Sequence, residues 1–482
     1  MIRRGRAEGW LRERIEGLPR WANFNGIRFA GIKIGPLPGF EERGSTVISS
    51  SKLVSGEAGA LLTVPKELIL SRQNIELFAK SDHHLRELLQ SLDDFGRTTR
   101  GAVLIFLLLQ ATICCPDVSN VGVHNPLTEY IKFLPDELLP TFWTEEEKDL
   151  LAGTTLEPAV RAKLNSLLRE FESVRTATAG IRWCAQHWWD EDVGLVTFDD
   201  WMRLDAMYRS RALEFPGVGD AMVPGIDMAN HASGEATAAL YETDGDGNGV
   251  LLLRDGKEIH PGGEVTITYG DEKGACESIF SYGFLEDSLD SAKVMFLDLK
   301  IPDDDPLAPA KAYVNNAAPG FRLFDKDGRI EWESDFIWLV IINEEDGLDF
   351  KVKQTIDGKR EVQCFWNEQE LGGVLKLHEQ LKETAFWDVF QLRATVLVQN
   401  RVEEQIDALR ATGDPVTTAT VRYGPQELAS KLRALELSML QKAMKTLDNE
   451  KAKLLDSETV QRYLGLIESE DEGAEQEEVD FT

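Results

Sequence analysis

Between Met222 and Phe284 the chain sets polar residues where apolar strands end, and few folds accommodate that pattern. The run MVPGIDMANH leads from Val223, Ile226 and Met228 into a knot of Asp227, Asn230 and His231. Further on, GGEVTITYG alternates like a strand as far as Tyr269, and a short helical turn separates it from a second tyrosine, Tyr282, in SYGF. A buried Asp, Asn, His or Tyr needs a hydrogen-bonding partner, and a ligand is one such partner. Taken singly, these residues also fit a plainer role. An Asn-His pair after a strand serves as turn chemistry, and a tyrosine at a strand end as an amphipathic rim residue.

In this order, DMANH, GGEVTITYG and SYGF together resemble the SET-domain protein methyltransferases. The likeness is to the Rubisco large-subunit methyltransferase branch, which includes methyltransferases of ribosomal proteins. That resemblance implies an α+β chain: a SET-domain β-fold with a large helical insertion, followed by a mostly helical C-terminal domain. It also implies S-adenosylmethionine as methyl donor and a protein lysine as acceptor. Tyr269 is then the catalytic phenol, orienting the amine and facing the departing methyl beside the cofactor. Tyr282 forms the other wall of a lysine channel, with Tyr241 and Asp227 also on the substrate side. Asn230 and His231 meet the cofactor mainly through backbone and amide groups. A related branch that methylates histidine in actin lacks the second tyrosine, so lysine is the expected acceptor here.

Two further stretches carry the likeness. In the family, the corner matching ERGSTV holds a G-x-G type loop whose missing Cβ atoms let the backbone approach the cofactor. Here Gly44 and Ser45 match that loop, but Thr46 stands at the second glycine position, a departure that bears on cofactor affinity. In YRSRALEFPG, Arg211 matches the arginine beside the cofactor's methionine part, and Ser210 lies toward the lysine channel. Read without the family, Arg211 near a helix end also suits capping of carbonyls or pairing with a carboxylate.

Charge narrows the partners. With 83 acidic against 52 basic residues, the formal net charge is −31, a surface that repels phosphate backbones and anionic lipid and attracts a basic protein. Nucleic acid and membrane are therefore excluded as expected partners, and a ribosomal protein or translation factor fits. Five cysteines form no CxxC pair, which points to a reducing cytoplasmic or nuclear setting and away from structural zinc; no metal is expected. A monomer is expected. The amphipathic start, with Glu8, Glu13 and Glu16, lacks the apolar core of a signal peptide, and the apolar run from Ala102 to Cys115 is too short to cross a membrane and reads as a buried helix.

At 482 residues the chain exceeds one hydrophobic core. A helix over about 8–18 closes an N-terminal segment of residues 1–23, and the SET domain spans 24–287. Within it, helical periodicity over about 71–216 marks the insertion, whose aromatics Phe142, Trp143, Trp183, Trp188 and Trp189 also read simply as core. Residues 288–465 form the C-terminal domain, broken near ATGDPVTT, and 466–482 an acidic tail too polar to fold. The run YETDGDGNGVLLLRD has calcium-loop spacing, yet its flanks read as strands, so a hairpin tip is expected. Two other classes of protein compete with the enzyme: a non-catalytic SET-like binding module that holds no cofactor, and a calcium-binding structural protein.

Overall fold

The computed structural model describes residues 15–40, 44–135, 139–190, 192, 196–354, 360–372, 375–413 and 420–467. Most of the expected N-terminal helix over 8–18, most of the break near ATGDPVTT and nearly all of the acidic tail lie outside them. The described residues fall into two units, one from 1–143, 159–272 and 277–286, the other from 144–158, 273–276 and 287–482.

The first unit opens with α1 (Leu18–Phe24), which carries Pro19 in its first turn, where a missing N–H costs nothing. The strands β1 (Arg28–Phe29), β2 (Ile32–Pro36), β3 (Ser45–Ser49), β4 (Leu53–Val54) and β5 (Leu62–Val64) follow. Then come α2 (Arg72–Ser81), α3 (His83–Ser91), α4 (Asp93–Arg97), α5 (Thr99–Ile113) and α6 (Pro126–Tyr130). Ser71, Asp82, Thr98 and Asn125 cap α2, α3, α5 and α6, each side chain accepting an otherwise unpaired backbone N–H. Every residue of α5 from Gly101 to Ile113 is buried, which makes the apolar run a core helix. Among the described residues no helix is long and apolar enough to cross a membrane.

After α7 (Glu145–Asp149) come α8 (Leu156–Thr178), α9 (Arg182–His187) and α10 (Phe198–Arg211). The periodicity over 159–190 predicts one helix, and the structure breaks it after Thr178. The Thr178 hydroxyl closes the helix on Val174 O at 2.7 Å and accepts the indole N–H of Trp189 at 2.9 Å, folding the chain back so that Trp189 packs on Phe171. Inside this insertion Asp205 is almost fully buried, with Arg100 at 2.6 Å, Lys163 at 2.8 Å and Arg209 at 3.5 Å. Burial works to raise its pKa, but Lys163, Arg209 and Arg100 outweigh it and hold the carboxyl below its usual value. The cluster ties α5 and α8 to the last turns of α10, the turns that deliver Ser210 and Arg211.

The sheets are small and antiparallel. Strands β6 (Leu213–Phe215) and β7 (Gly219–Ala221) pair, as do β2 with β3 and β4 with β10 (Glu258–Ile259), while β8 (Ala239–Thr243) and β9 (Gly249–Leu253) complete a four-stranded sheet in the order β1-β5-β9-β8. The expected hairpin is β8-β9. At its tip Asp244 accepts hydrogen bonds from the backbone of Asp246 and Asn248 and from the Asn248 side chain. That carboxylate serves the turn. The alternating segment ending at Tyr269 predicts a regular strand, but it makes only isolated bridges, Glu264 with Ile48 and Ile267 with His231, because it passes from β3 to the segment 230–232 within a few residues. It runs on to α11 (Ala275–Tyr282).

The second unit holds two three-stranded antiparallel sheets. One is β11 (Val294–Asp298), β12 (Gly320–Lys326) and β13 (Arg329–Glu333); the other is β14 (Leu348–Gln354), β15 (Arg360–Trp366) and β16 (Gln369–Glu370). Its helices are α12 (Ala308–Val314), α13 (Ile337–Val340), α14 (Leu375–Lys382), α15 (Trp387–Thr412), α16 (Tyr423–Leu455) and α17 (Glu458–Tyr463). The segment 144–158 is anchored on them. Glu147 accepts a fork from Arg422, Nε at 2.7 Å and Nη2 at 2.6 Å, while Thr155 N donates to Glu436 and Arg433 donates to Ala152 O.

Those two carboxylates titrate in opposite directions. The Arg422 hydrogen bonds hold Glu147 down to about 2, whereas complete burial pushes Glu436 up to about 7. A depressed carboxyl stabilises above its unfolded pKa and loses that contribution as the pH falls through its folded one. In denaturant unfolding, Glu147→Gln should therefore cost about 1–2 kcal/mol at neutral pH, discounted because Arg422 is partly exposed, with the difference closing as the pH falls from about 4.5 to about 2. A raised carboxyl has the opposite sign. The wild type should lose stability relative to Glu436→Gln as the pH rises from about 4.5 to about 7; a pH-independent difference between the two would show that Glu436 stays ionised.

Candidate active site

A bridge between Leu70 and Met222 sets the start of the polar knot. The chain then turns sharply at Gly225, whose φ of +86° is strained for any residue with a Cβ, and whose place against Leu62 leaves little room for one. One helical turn, Ile226–Met228, follows. Inside it Asp227 is buried: Oδ1 accepts the Gly225 N–H at 3.0 Å and Oδ2 accepts the phenol of Tyr130, which itself stacks on Trp21. Burial pushes Asp227 up to about 6 against the pull of Arg211 and the Tyr130 hydrogen bond, and burial followed by the Asp227 charge carries Tyr130 well above its usual value. Arg211, at the end of α10, donates to Asp227 O at 2.8 Å and lies 3.4 Å from Met228 Sδ. The guanidinium is thereby held against the backbone of the turn.

Asn230 and His231 leave this turn beside the thread that carries Glu264 and Tyr269. Ile267 N donates to Asn230 O and Ala232 N to Ile267 O, both at 2.9 Å. The Asn230 amide donates to Glu264 Oε1 at 2.7 Å. His231 is committed at both nitrogens. Its Nδ1 accepts the Tyr269 backbone N–H at 2.9 Å, which fixes the proton on Nε2, and Nε2 donates to Glu286 Oε1 at 2.9 Å. The other oxygen of Glu286 accepts the Ser233 hydroxyl. A ring so engaged is a brace and has no lone pair to spare for a general base.

On that brace sits a group of aromatic rings. Tyr269 and Tyr282 have ring centroids 4.6 Å apart, Phe284 lies 6.5 Å and 6.3 Å from them, and His231 stacks on Tyr269 at 5.2 Å. All four residues are only partly buried. The Tyr269 phenol donates its proton to Ala229 O at 2.8 Å, so its oxygen lone pairs are oriented as acceptors. The sequence-predicted residues thus divide. Arg211 is joined to Asp227, and Asn230, His231, Tyr269 and Tyr282 are joined through direct contacts or one shared partner, the two groups meeting along the chain between 227 and 230. Ser210 lies next to Arg211, but its hydroxyl donates to Ala206 O and Met207 O within α10. Tyr241 sits on β8 with its ring stacked on Phe215 at 5.4 Å. Gly44, at φ +80°, and Ser45 open β3, and a Cβ built on Gly44 would meet nothing within 4 Å.

Four residues of the arrangement escape sequence reasoning: Tyr130, Glu264, Phe284 and Glu286. Glu264 leaves a trace, because in an alternating segment it falls on the face opposite Val265 and Ile267, and a carboxylate there needs a donor across the sheet. Tyr130 and Glu286 leave none. Their partners are 97 and 55 residues away along the chain.

No family model matches the chain. It is 26% identical over 452 residues to SET domain-containing protein 8 of Schizosaccharomyces pombe, covering 90% of this chain and 95% of that protein. It is 24% identical over 305 residues to N-lysine methyltransferase setd6 of Xenopus laevis, 57% of this chain and 60% of that one, so it spans less than two thirds of that relative. Among solved structures it superimposes on the SET domain of LSMT bound to methyllysine and AdoHcy with a TM-score of 0.62 and 17% identity, covering 95% of this chain and 97% of the other. The structure of Rubisco LSMT bound to AdoMet gives the same score at 16% identity, covering 95% and 98%.

If Tyr130 holds the Asp227 carboxyl in its buried place, Tyr130→Phe should destabilise the chain by about 1–3 kcal/mol, the range for losing a hydrogen bond to a buried acidic group. Denaturant unfolding near pH 7 measures this. A loss below about 0.5 kcal/mol would mean that the Gly225 N–H suffices.

Proposed function

We propose that this chain, whose α+β fold is that of the Rubisco large-subunit methyltransferase-like SET proteins, is a protein-lysine N-methyltransferase that uses S-adenosylmethionine. The observation that carries the proposal is the pair of phenol rings 4.6 Å apart, with Tyr269 anchored on Ala229 O and braced through its backbone by His231.

Other residues of this unit suit such a cofactor. Gly44 offers backbone with no side chain and open space where a Cβ would stand, Arg211 offers a fixed cation for a carboxylate, and Asn230 and His231 offer backbone and amide groups. Gly44, Ser45, Arg211, Asn230, His231 and Tyr269 would hold the cofactor, which supplies an electrophilic methyl group on a sulfonium. Tyr282, packed on Tyr269 at 4.6 Å, would line the substrate side beside it, while Asp227, engaged by Gly225 and Tyr130, Ser210, bonded within α10, and Tyr241, stacked on Phe215, would support that side from behind.

The protein's part is alignment and desolvation. A lysine amine must lose its proton before it can attack, which at neutral pH costs about 4–5 kcal/mol from a reference pKa near 10.4. A dry channel beside a sulfonium charge would disfavour the ammonium form and lower that cost. The neutral amine keeps N–H donors and one lone pair. Directing a donor to the Tyr269 oxygen, whose own proton is spent on Ala229 O, aims the lone pair along the line of transfer. With both His231 nitrogens engaged, the proton leaves to solvent and not to that ring.

The substrate we favour is a non-histone basic protein such as a ribosomal protein or translation factor, met in the cytoplasm or nucleus by a monomer. Its support is the net charge of −31, which attracts a lysine-rich partner. The competing non-catalytic module draws its support from Thr46. That side chain is fully buried and turned to Glu264, so it leaves the Gly44 approach open.

Incubation of the protein with labelled S-adenosylmethionine and a lysate lacking it, followed by peptide mass spectrometry, should show methyl groups on lysine. Tyr269→Phe should lower the rate by about 100-fold, the cost of a misplaced reacting group. Equal labelling by both proteins would remove Tyr269 from the reaction.

A further inference from the structure

Thr46 occupies the place of a loop glycine, yet its side chain is entirely buried and hydrogen-bonded. Its hydroxyl donates to Glu264 Oε1 at 2.7 Å, and the Asn230 amide donates to the same oxygen at 2.7 Å. The three residues stand on three adjoining threads, stitched by Val265 N to Val47 O at 2.8 Å and Ile267 N to Asn230 O at 2.9 Å. One carboxylate oxygen thus joins the strand entered through Gly44 to the turn that presents Asn230 and His231. The hydroxyl bond has the usual O–H···O length, and the amide bond lies at the short end of the N–H···O range.

We propose that Thr46 is a positioning residue of the cofactor site: through Glu264 it fixes the Asn230 amide relative to the Gly44–Ser45 loop. The proposal rests on the methyltransferase reading above. Thr46 would touch no ligand itself. Glu264 needs two donors to stay in place, and without the hydroxyl it is free to swing and carry the Asn230 amide with it. On this view the missing glycine is a gain of a tie and not the loss of a cradle, which reverses the usual expectation for a variant. Restoring glycine at 46 should weaken cofactor binding.

The test is calorimetric titration of the full chain with S-adenosylmethionine alone, alongside thermal unfolding of each variant. Thr46→Val and Thr46→Gly should each weaken binding by about 10-fold, the size expected for loss of one hydrogen bond to a carboxylate, and Thr46→Ser should bind like wild type. In a Glu264→Ala background, Thr46→Val should have no further effect, a coupling that general loss of packing would not produce. If Thr46→Val or Thr46→Gly does not fold, Glu264→Gln serves, since it keeps the shape, removes the charge and should weaken binding while Thr46→Ser does not. Wild type that binds no cofactor overturns the methyltransferase reading. Wild type that binds while all variants stay within twofold, or a Thr46→Gly that binds more tightly, overturns the positioning role and leaves that reading standing.

Discussion

A buried carboxyl has few stable surroundings, and Asp227 dictates what its neighbourhood must contain. Removed from water, it requires donors on both oxygens. One comes from Gly225, two residues before it, which forces the tight turn. The other comes from Tyr130 on the helical insertion, 97 residues earlier. The insertion and the β-fold are therefore fastened at the point where the turn Ile226–Met228 begins. The same insertion sends α10 back with Arg211, whose guanidinium closes on the turn's backbone at 2.8 Å. Asn230, His231 and the Ala229 carbonyl inherit their positions from this arrangement, and Tyr269 inherits its own from Ala229 and His231.

Much of this was legible in the chain because it depends on local pattern. Alternation gave the β8-β9 hairpin, apolar spacing gave the helices of the insertion, and the order of short motifs gave the SET-domain fold. The two tyrosines were legible as well, since strand-end and helix-end aromatics stand out beside a run such as SYGF. What stayed hidden is a matter of long-range pairing. Glu264, Glu286 and Tyr130 are ordinary residues in their own segments, and their importance comes from partners that only the folded chain brings near. The segment before Tyr269 shows the converse. Its perfect alternation promised a ladder, but a ladder needs one neighbour along its whole length, and this segment passes from β3 to residues 230–232 within a few residues.

The second unit shows how similar carboxylates acquire opposite energetic signs. Glu147 and Glu436 both accept hydrogen bonds from several donors and both are shielded from water. Glu147 has a guanidinium fork in direct contact, so its charge is favoured. Glu436 receives its hydrogen bonds from the neutral Thr155, while Arg433 turns its own N–H groups to the carbonyls of Ala152 and Leu409. Hydrogen bonding alone does not offset complete desolvation, and a charged donor in contact does. The segment 144–158 is anchored by one bond of each kind, so its attachment is not governed by a single ionisation.

The same distinction bears on how a methyltransferase of this form would bring in a positively charged lysine and yet react with a neutral one. An acidic chain attracts ammonium groups over a distance of about 10 Å, the screening length at moderate salt. A carboxylate facing the amine in the reacting position would defeat the purpose by stabilising its proton. The geometry avoids that conflict. Glu286, the carboxylate touching the base of the aromatic group, has both oxygens occupied by His231 and Ser233, and Asp227 is turned inward to Tyr130 and Gly225. Near the phenols, Glu286 and Asp227 are thus spent on structure. On the methyltransferase reading, attraction of the ammonium and its deprotonation would then fall to different groups.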